Sequence, residues 1–228
     1  MTIHDLCFLH TDKVHIPVFT ALVEAQAAEQ NITVNVRHDV RDDLLARAQE
    51  QGMSESLATD VTAAMHTAAD SGARVVVCTC STIGGVAEAA SADNSAFLSA
   101  RIDRAMADVA VGLGGQLLVV AALESTLDST RRLIEGSAAN ARIDVAIDMH
   151  VVPDAWQHFM AGEITTYCER VATDIRTLHT GYSGVVLAQA SMAPAATLCS
   201  DLPVPVLSSP ALGVNNALNT LAGRVSRP

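Results

Sequence analysis

At 228 residues the chain can form one large core or two small ones, and a hydrophobic content of 50% excludes general disorder. Aromatic residues make up only 3%, so the interior has to be built from Ala, Val, Leu and Ile. A formal net charge of −11 argues against nucleic acid as a partner, which needs a concentrated basic surface, and no uninterrupted apolar run of about 18 residues marks a membrane partner.

Met1-Thr2-Ile3-His4-Asp5 reads as the lead into a strand rather than a secretory leader, so a cytoplasmic protein is expected. Short apolar runs then alternate with longer helical patterns, the signature of an α/β chain with a mainly parallel sheet. Strands are predicted near 3–9, 32–38, 74–80, 116–122, 143–149, 184–189 and 204–208, with helices from Asp42 to Gln51, Glu55 to Asp70 and Thr126 to Glu135 among those between them. Gly112-Leu113-Gly114-Gly115 lacks the spacing of a dinucleotide fingerprint and is read as the close of a helix before a strand. No Pro-, Gly- or Ser-rich linker divides the chain, so any two subdomains are closely joined.

The run Val75-Val76-Val77-Cys78-Thr79-Cys80 ends abruptly at Ser81-Thr82-Ile83-Gly84-Gly85. A parallel strand delivers a nucleophile or an acid/base group to the sheet's carboxyl edge in this way, and the amino end of the next helix stabilises negative charge there. Buried packing is the alternative for any one of the five cysteines, Cys7, Cys78, Cys80, Cys168 and Cys199. Their odd number argues against a disulfide framework, and Cys78 and Cys80 point to opposite faces of a strand, which disfavours a shared zinc site. No metal or nucleotide cofactor is inferred.

The chain also repeats itself. Ile32-Thr33-Val34-Asn35-Val36-Arg37-His38 is answered by the run from Ile143 to His150, and Val75 to Ser81 by Val185 to Ser191 with Cys80 set against Gln189. Leu9-His10-Thr11 is matched to Leu123-Glu124-Ser125. Three matches in order point to duplication, and two such halves facing each other would place their strand-end loops around one cleft.

These segments resemble the aspartate/glutamate/hydantoin racemase superfamily over most of the chain, including its arylmalonate decarboxylase and maleate isomerase branch. Cys80-Ser81-Thr82 is similar to the family's first cysteine motif, often Cys-Asn-Thr. Leu187-Ala188-Gln189-Ala190-Ser191-Met192 occupies the place of the second, with Gln189 at the cysteine position. Further similarity lies in Arg101-Ile102-Asp103-Arg104-Ala105-Met106 and Ala121-Ala122-Leu123-Glu124-Ser125-Thr126. The resemblance implies two pseudosymmetric subdomains with mainly parallel four-stranded sheets flanked by helices, residues 1–110 plus 208–228 and residues 111–207, with the active site in the cleft between them. It implies a cofactor-independent enzyme acting on a small carboxylate through Cys80 proton transfer, and a homodimer.

Gln189 departs from the family's pattern. Racemisation needs one group to remove the α-proton and another to return a proton on the opposite face, and neutral glutamine does neither. Gln189 is left to bind a carboxylate or carbonyl, or to satisfy backbone groups at the strand end. Arylmalonate decarboxylases resemble the chain in using a single cysteine, although theirs is the second-half thiol, so a lyase protonating the opposite face is an alternative. A non-catalytic carboxylate-binding protein is another.

Ser81 and Thr82, with Ala190 and Ser191 in the second half, are expected to cradle a carboxylate or enediolate, an ordinary N-cap being the alternative. Thr11 and Ser125 are read as substrate contacts or turn caps. His10, His38, His150 and Glu124 fall near strand ends as reserve acid/base groups, whereas His66, His158 and His179 lie in helical patterns without a partner. Trp156 and Phe159 are read as a helix's core face.

Overall fold

A computed structural model describes residues 3–91 and 96–223. Met1 and Thr2 of the expected lead-in, and residues 92–95 and 224–228 of the expected first subdomain, lie outside the described residues. The elements run β1 (Ile3–His10), a 3-10 turn (Lys13–His15), α1 (Ile16–Gln30), β2 (Thr33–Val40), α2 (Asp42–Gln51), α3 (Glu55–Asp70), β3 (Val75–Cys78), α4 (Ser81–Glu88), β4 (Leu98–Arg101) and α5 (Arg104–Leu113). They continue as β5 (Gly115–Ala121), a 3-10 turn (Glu124–Thr126), α6 (Leu127–Ala141), β6 (Val145–Val151), α7 (Ala155–Met160), α8 (Ile164–Leu178), β7 (Gly184–Leu187), a 3-10 turn (Ala190–Met192), α9 (Ala193–Leu198), β8 (Val206–Leu207) and α10 (Ser209–Leu221).

Two four-stranded sheets result, in the orders β2-β1-β3-β4 and β6-β5-β7-β8, with parallel pairing throughout. The chain divides into Met1–Ile102 with Pro210–Pro228, and Asp103–Ser209. The first crossing precedes α5, ahead of the 110/111 boundary expected from sequence, because Met106, Ala107, Ala110 and Val111 are buried on a helix that packs on α6 and β7. Among the described residues no helix is long and apolar enough to cross a membrane.

Parallel strands covered on both faces need apolar side chains at every position. β3 and β7 are buried along their whole length. In the first unit Cys7, Leu9, Val76 and Cys78 meet Leu44, Leu57, Val61, Met65 and Ile83 from α2, α3 and α4. In the second, Leu118, Val120, Val185 and Leu187 meet Phe159, Tyr167, Val171 and Ile175 from α7 and α8, where Trp156 stacks on Phe159 at 4.9 Å. Burying each large side chain contributes about 1.5–3 kcal/mol. Exposed pairs such as Arg41–Asp43 at 2.7 Å contribute about 0–1 kcal/mol, so apolar cover holds the helices in place.

β4 was not anticipated from the sequence. It is short, carries a buried serine, and is joined by a hydroxyl exchange: Ser91 N donates to Ser99 Oγ at 2.9 Å, and Ser99 N donates to Ser91 Oγ at 3.1 Å. Such a strand has too little apolar alternation to stand out from a loop.

Backbone geometry sets the register of the duplication. α1 and α6 are both 15 residues long and end in left-handed caps at Asn31 and Arg142 (φ 54° and 57°). The amides just beyond return to the helices, Ile32 N to Ala27 O at 3.0 Å and Ile143 N to Ala138 O at 3.1 Å. This register places Asp12 opposite Leu123, Thr11 opposite Ala122 and His38 opposite Met149. The sequence match of Thr11 to Ser125, and of His38 to His150, is therefore corrected: it aligned polar residues rather than strand ends.

Inside the first unit Phe8, His10, His15, Phe19 and His38 form a ring cluster, with His10 and His38 stacked at 5.1 Å and His10 and His15 at 6.1 Å. The Thr20 hydroxyl donates to Ile16 O at 2.8 Å and so accepts from His38 Nε2 at 3.0 Å. His38 Nδ1 then accepts from His10 Nε2 at 2.9 Å, and with both rings neutral His10 Nδ1 accepts from the Thr79 hydroxyl at 2.8 Å, in preference to that hydroxyl's longer contact with Leu9 O at 3.3 Å. One tautomer satisfies the whole chain with both imidazoles neutral. Burial, reinforced by His15 and His38, pushes His10 down from 6.5 to about 3, and burial lowers His15 and His38. Unfolding restores ordinary titration, so below pH 6.5 the unfolded chain takes up protons that folded His10 refuses until about pH 3. Stability is full above that window and falls through it, by up to about 1.4 kcal/mol per pH unit per ring. Urea unfolding between about pH 7 and pH 4 should show this decline, and His10→Gln should be less stable at neutral pH with a flatter dependence.

Candidate functional site

The parallel pairing of β1 with β3, which sets Leu9 against Cys78, brings both carboxyl ends to one edge of the first sheet. Thr79 N extends the ladder to Leu9 O at 3.0 Å, and Ile102 N closes on Cys78 O at 2.9 Å. Cys80 follows in extended conformation (φ −99°, ψ 115°) as the residue capping α4, its thiol half-buried. Cys7, Cys78, Cys168 and Cys199 are buried, and none of the five cysteines is in a disulfide. Burial and Asp39 push Cys7 up to about 12, and burial raises Cys168 and Cys199. Exposure at a strand end thus distinguishes Cys80 from the other cysteines.

Ser81 is buried in the first turn of α4, and Thr82 is half-buried beside it. Sequence reasoning missed Arg101. Its guanidinium is buried at the end of β4 and donates to Ser81 O at 3.4 Å. A Cβ on Gly84 would stand 3.1 Å from three guanidinium atoms, so glycine at that position is what lets the cation lie close against α4. The available signal was Arg101-Ile102-Asp103, noticed only as a similarity because β4 itself was not recognised.

Thr11 is buried just beyond β1. Asp12 follows in extended conformation (φ −153°, ψ 135°), and its side chain caps the next turn by accepting from Val14 N at 2.9 Å. Among the described residues the main-chain amides of Thr11 and Asp12 have no hydrogen-bond acceptor. The equivalent amides of the second unit are Ala122 N and Leu123 N. Both donate to Gln189 Oε1, at 2.6 Å and 3.1 Å. Gln189 is 9% exposed and follows β7 in the same extended conformation as Cys80 (φ −124°, ψ 138°). Ala190 is buried, and the Ser191 hydroxyl is paired with Tyr167 Oη at 2.9 Å. Tyr167, also missed in the sequence, is raised by burial and so remains a phenol. Ser125 is half-buried, with a sequestered hydroxyl that has no partner among the described residues.

Of the reserve acid/base groups, His10 and His38 are bonded to each other at 2.9 Å, inside the ring cluster. His10 is fully buried in the neutral chain described above, and Glu124 is exposed. His150 is bonded through Nε2 to Asp174 Oδ2 at 2.6 Å, and Asp174 is also paired with Arg170. His66 is exposed, with its ring edge-on to Phe97 at 5.2 Å. His158 and His179 do find partners, Glu163 Oε2 at 2.6 Å and Arg176 O at 3.0 Å, within or just beyond their own helices.

No family model matches the chain, nor does any curated protein. Solved structures do. Aspartate racemase from Picrophilus torridus superposes with a TM-score of 0.70 at 13% identity, covering 96% of this chain and 94% of that one. Allantoin racemase from Klebsiella pneumoniae gives 0.64 at 18% identity, covering 99% and 90%. A substituted arylmalonate decarboxylase in its sulfate-associated form gives 0.62 at 13% identity, covering 98% and 96%. The duplicated parallel sheets are thus the fold shared by aspartate, glutamate and allantoin racemases and arylmalonate decarboxylase, the superfamily that the Cys80 and Gln189 segments resemble.

Proposed function

We propose that the chain is a cofactor-independent enzyme of the isomerase type acting on a small carboxylate, with Cys80 as the group that exchanges a proton with the substrate's α-carbon. The observation that carries this reading is the half-exposed Cys80 thiol at the end of β3, at the amino end of α4 and on the same sheet edge as the Thr11 and Asp12 amides. Two adjacent N–H groups and a helix terminus are suited to the charge that develops on a carboxylate oxygen as an enediolate forms. Ser81, Thr82 and Arg101 complete the surroundings, with Arg101 positioning the first turn of α4 through Ser81 O.

In the forward step the Cys80 thiolate takes the α-proton, the electron pair moves into the enediolate, and the thiol returns a proton to the same carbon. One thiol serves one face. Exchange at Cys80 alone therefore proceeds with retention, and inversion requires a second donor. The engagement of Gln189 Oε1 by Ala122 and Leu123 favours a second reading, a single-thiol lyase. There the bond between the α-carbon and a carboxylate carbon breaks, carbon dioxide leaves with no proton removed, and the Cys80 thiol protonates the enediolate and regains its proton from solvent.

Incubation in deuterium oxide with aspartate, glutamate and an arylmalonate separates these outcomes. The isomerase reading expects deuterium at the α-carbon with both enantiomers formed, exchange with retention would show Cys80 acting without a second donor, and the lyase reading expects carbon dioxide with one labelled enantiomer. Cys80→Ala should lower either rate by about a thousandfold or more while changing stability by less than about 1 kcal/mol, since one small strand-end side chain replaces another. Turnover at the parent rate in Cys80→Ala would remove Cys80 from the chemistry.

Iodoacetamide at neutral pH should label Cys80 ahead of the four buried thiols, and a carboxylate that is turned over should slow that labelling. Peptide mass mapping checks it. Modification spread evenly over the five cysteines would contradict the selectivity.

A further inference from the structure

The second unit contains a hydrogen-bond arrangement that the proposed chemistry does not use. Gln189 Oε1 sits 2.6 Å from Ala122 N and 3.1 Å from Leu123 N, two successive amides at the carboxyl end of β5. An oxygen held by two convergent main-chain donors is how a protein holds a carboxylate or enediolate oxygen, yet here the oxygen belongs to the chain itself.

The first unit supplies the comparison. Around both strand ends the backbone is bonded alike: Arg41 N to His10 O and Val152 N to Ala121 O, each 2.8 Å, and Thr79 N to Leu9 O and Ala188 N to Val120 O, at 3.0 Å and 2.9 Å. Asp12 and Leu123 are both extended and each begins a 3-10 turn, and Cys80 and Gln189 are both extended residues leading into the next helical turn. The main difference is side-chain reach. The Gln189 oxygen lies two bonds further from its Cβ than the Cys80 sulfur does, so glutamine spans to the amide pair and cysteine stops short.

We propose that Gln189 is a resident ligand: its carboxamide oxygen fills an oxyanion cradle formed by the amides of Ala122 and Leu123, leaving the matching amides of Thr11 and Asp12 as the pair open to a carboxylate. The chain then takes one carboxylate oxygen at such a cradle rather than two. Gln189 determines this by occupying a site without adding charge, and its assignment stands apart from whether Cys80 transfers a proton.

Amide NMR of the full chain titrated with acetate tests it. In the parent, Thr11 and Asp12 N–H signals should shift saturably while those of Ala122 and Leu123 stay fixed; in Gln189→Ala all four should shift. Fixed Ala122 and Leu123 signals in a folded Gln189→Ala protein, or equal shifts of that pair in the parent, would overturn the proposal. Response of Ala122 and Leu123 in the variant, without response of Thr11 and Asp12 in either protein, would support Gln189 as resident ligand and remove the first-unit cradle from the proposed function. Should Gln189→Ala not fold, Gln189→Glu decides. The variant's carboxylate should hold the Ala122 and Leu123 protons downfield at neutral pH and release them on acidification. Amide signals indifferent to pH there would overturn the assignment.

Discussion

A main-chain amide that leaves the end of a buried parallel strand has to find an acceptor, because leaving it buried and unpaired costs about 1–3 kcal/mol. Of two equivalent strand ends, the chain meets this requirement with its own atoms at one. After β5 the acceptor is the carboxamide oxygen of Gln189, bonded to two amides at once. After β1 the equivalent amides of Thr11 and Asp12 lack an acceptor among the described residues, and Cys80 stands where the glutamine would. The two similarly built strand ends thus differ: one is stabilised by the chain's own side chain, and the other is where the proposed function places the chemistry. The rest of the first unit supports that arrangement: apolar cover on both faces of β3 fixes where the strand stops, and the buried Arg101 guanidinium fixes how α4 begins.

Much of the fold was legible because parallel strands covered on both faces have to be apolar throughout. Val75 to Cys78 and Val185 to Leu187 therefore stood out, and α2 and α3 were expected with the observed ends, Asp42 to Gln51 and Glu55 to Asp70. β4 was not, since Leu98 to Arg101 buries a serine and is recruited by Ser91 rather than by an apolar pattern. Losing that strand also hid Arg101, whose close packing depends on Gly84 on a different element.

At the candidate site, the position of Cys80 followed from residue order, but the role of Gln189 did not. Glutamine at a strand end is equally compatible with holding a substrate and with satisfying the backbone, and only the distances to Ala122 and Leu123 choose the second. The histidines were misleading for a related reason. His10 looked available because it is polar and close to a strand end, yet its neighbours are Phe8, Phe19 and two other imidazoles that keep it neutral. Sequence proximity to an edge does not reveal which way a side chain turns.

The most direct measurement of the central claim is the location of a bound carboxylate that the protein turns over, determined crystallographically in the Cys80→Ala variant. The account predicts a carboxylate oxygen about 2.7–3.2 Å from the amides of Thr11 and Asp12, with the α-carbon directed at the Cβ of residue 80. A carboxylate seated elsewhere, with those two amides still lacking an acceptor, would contradict it.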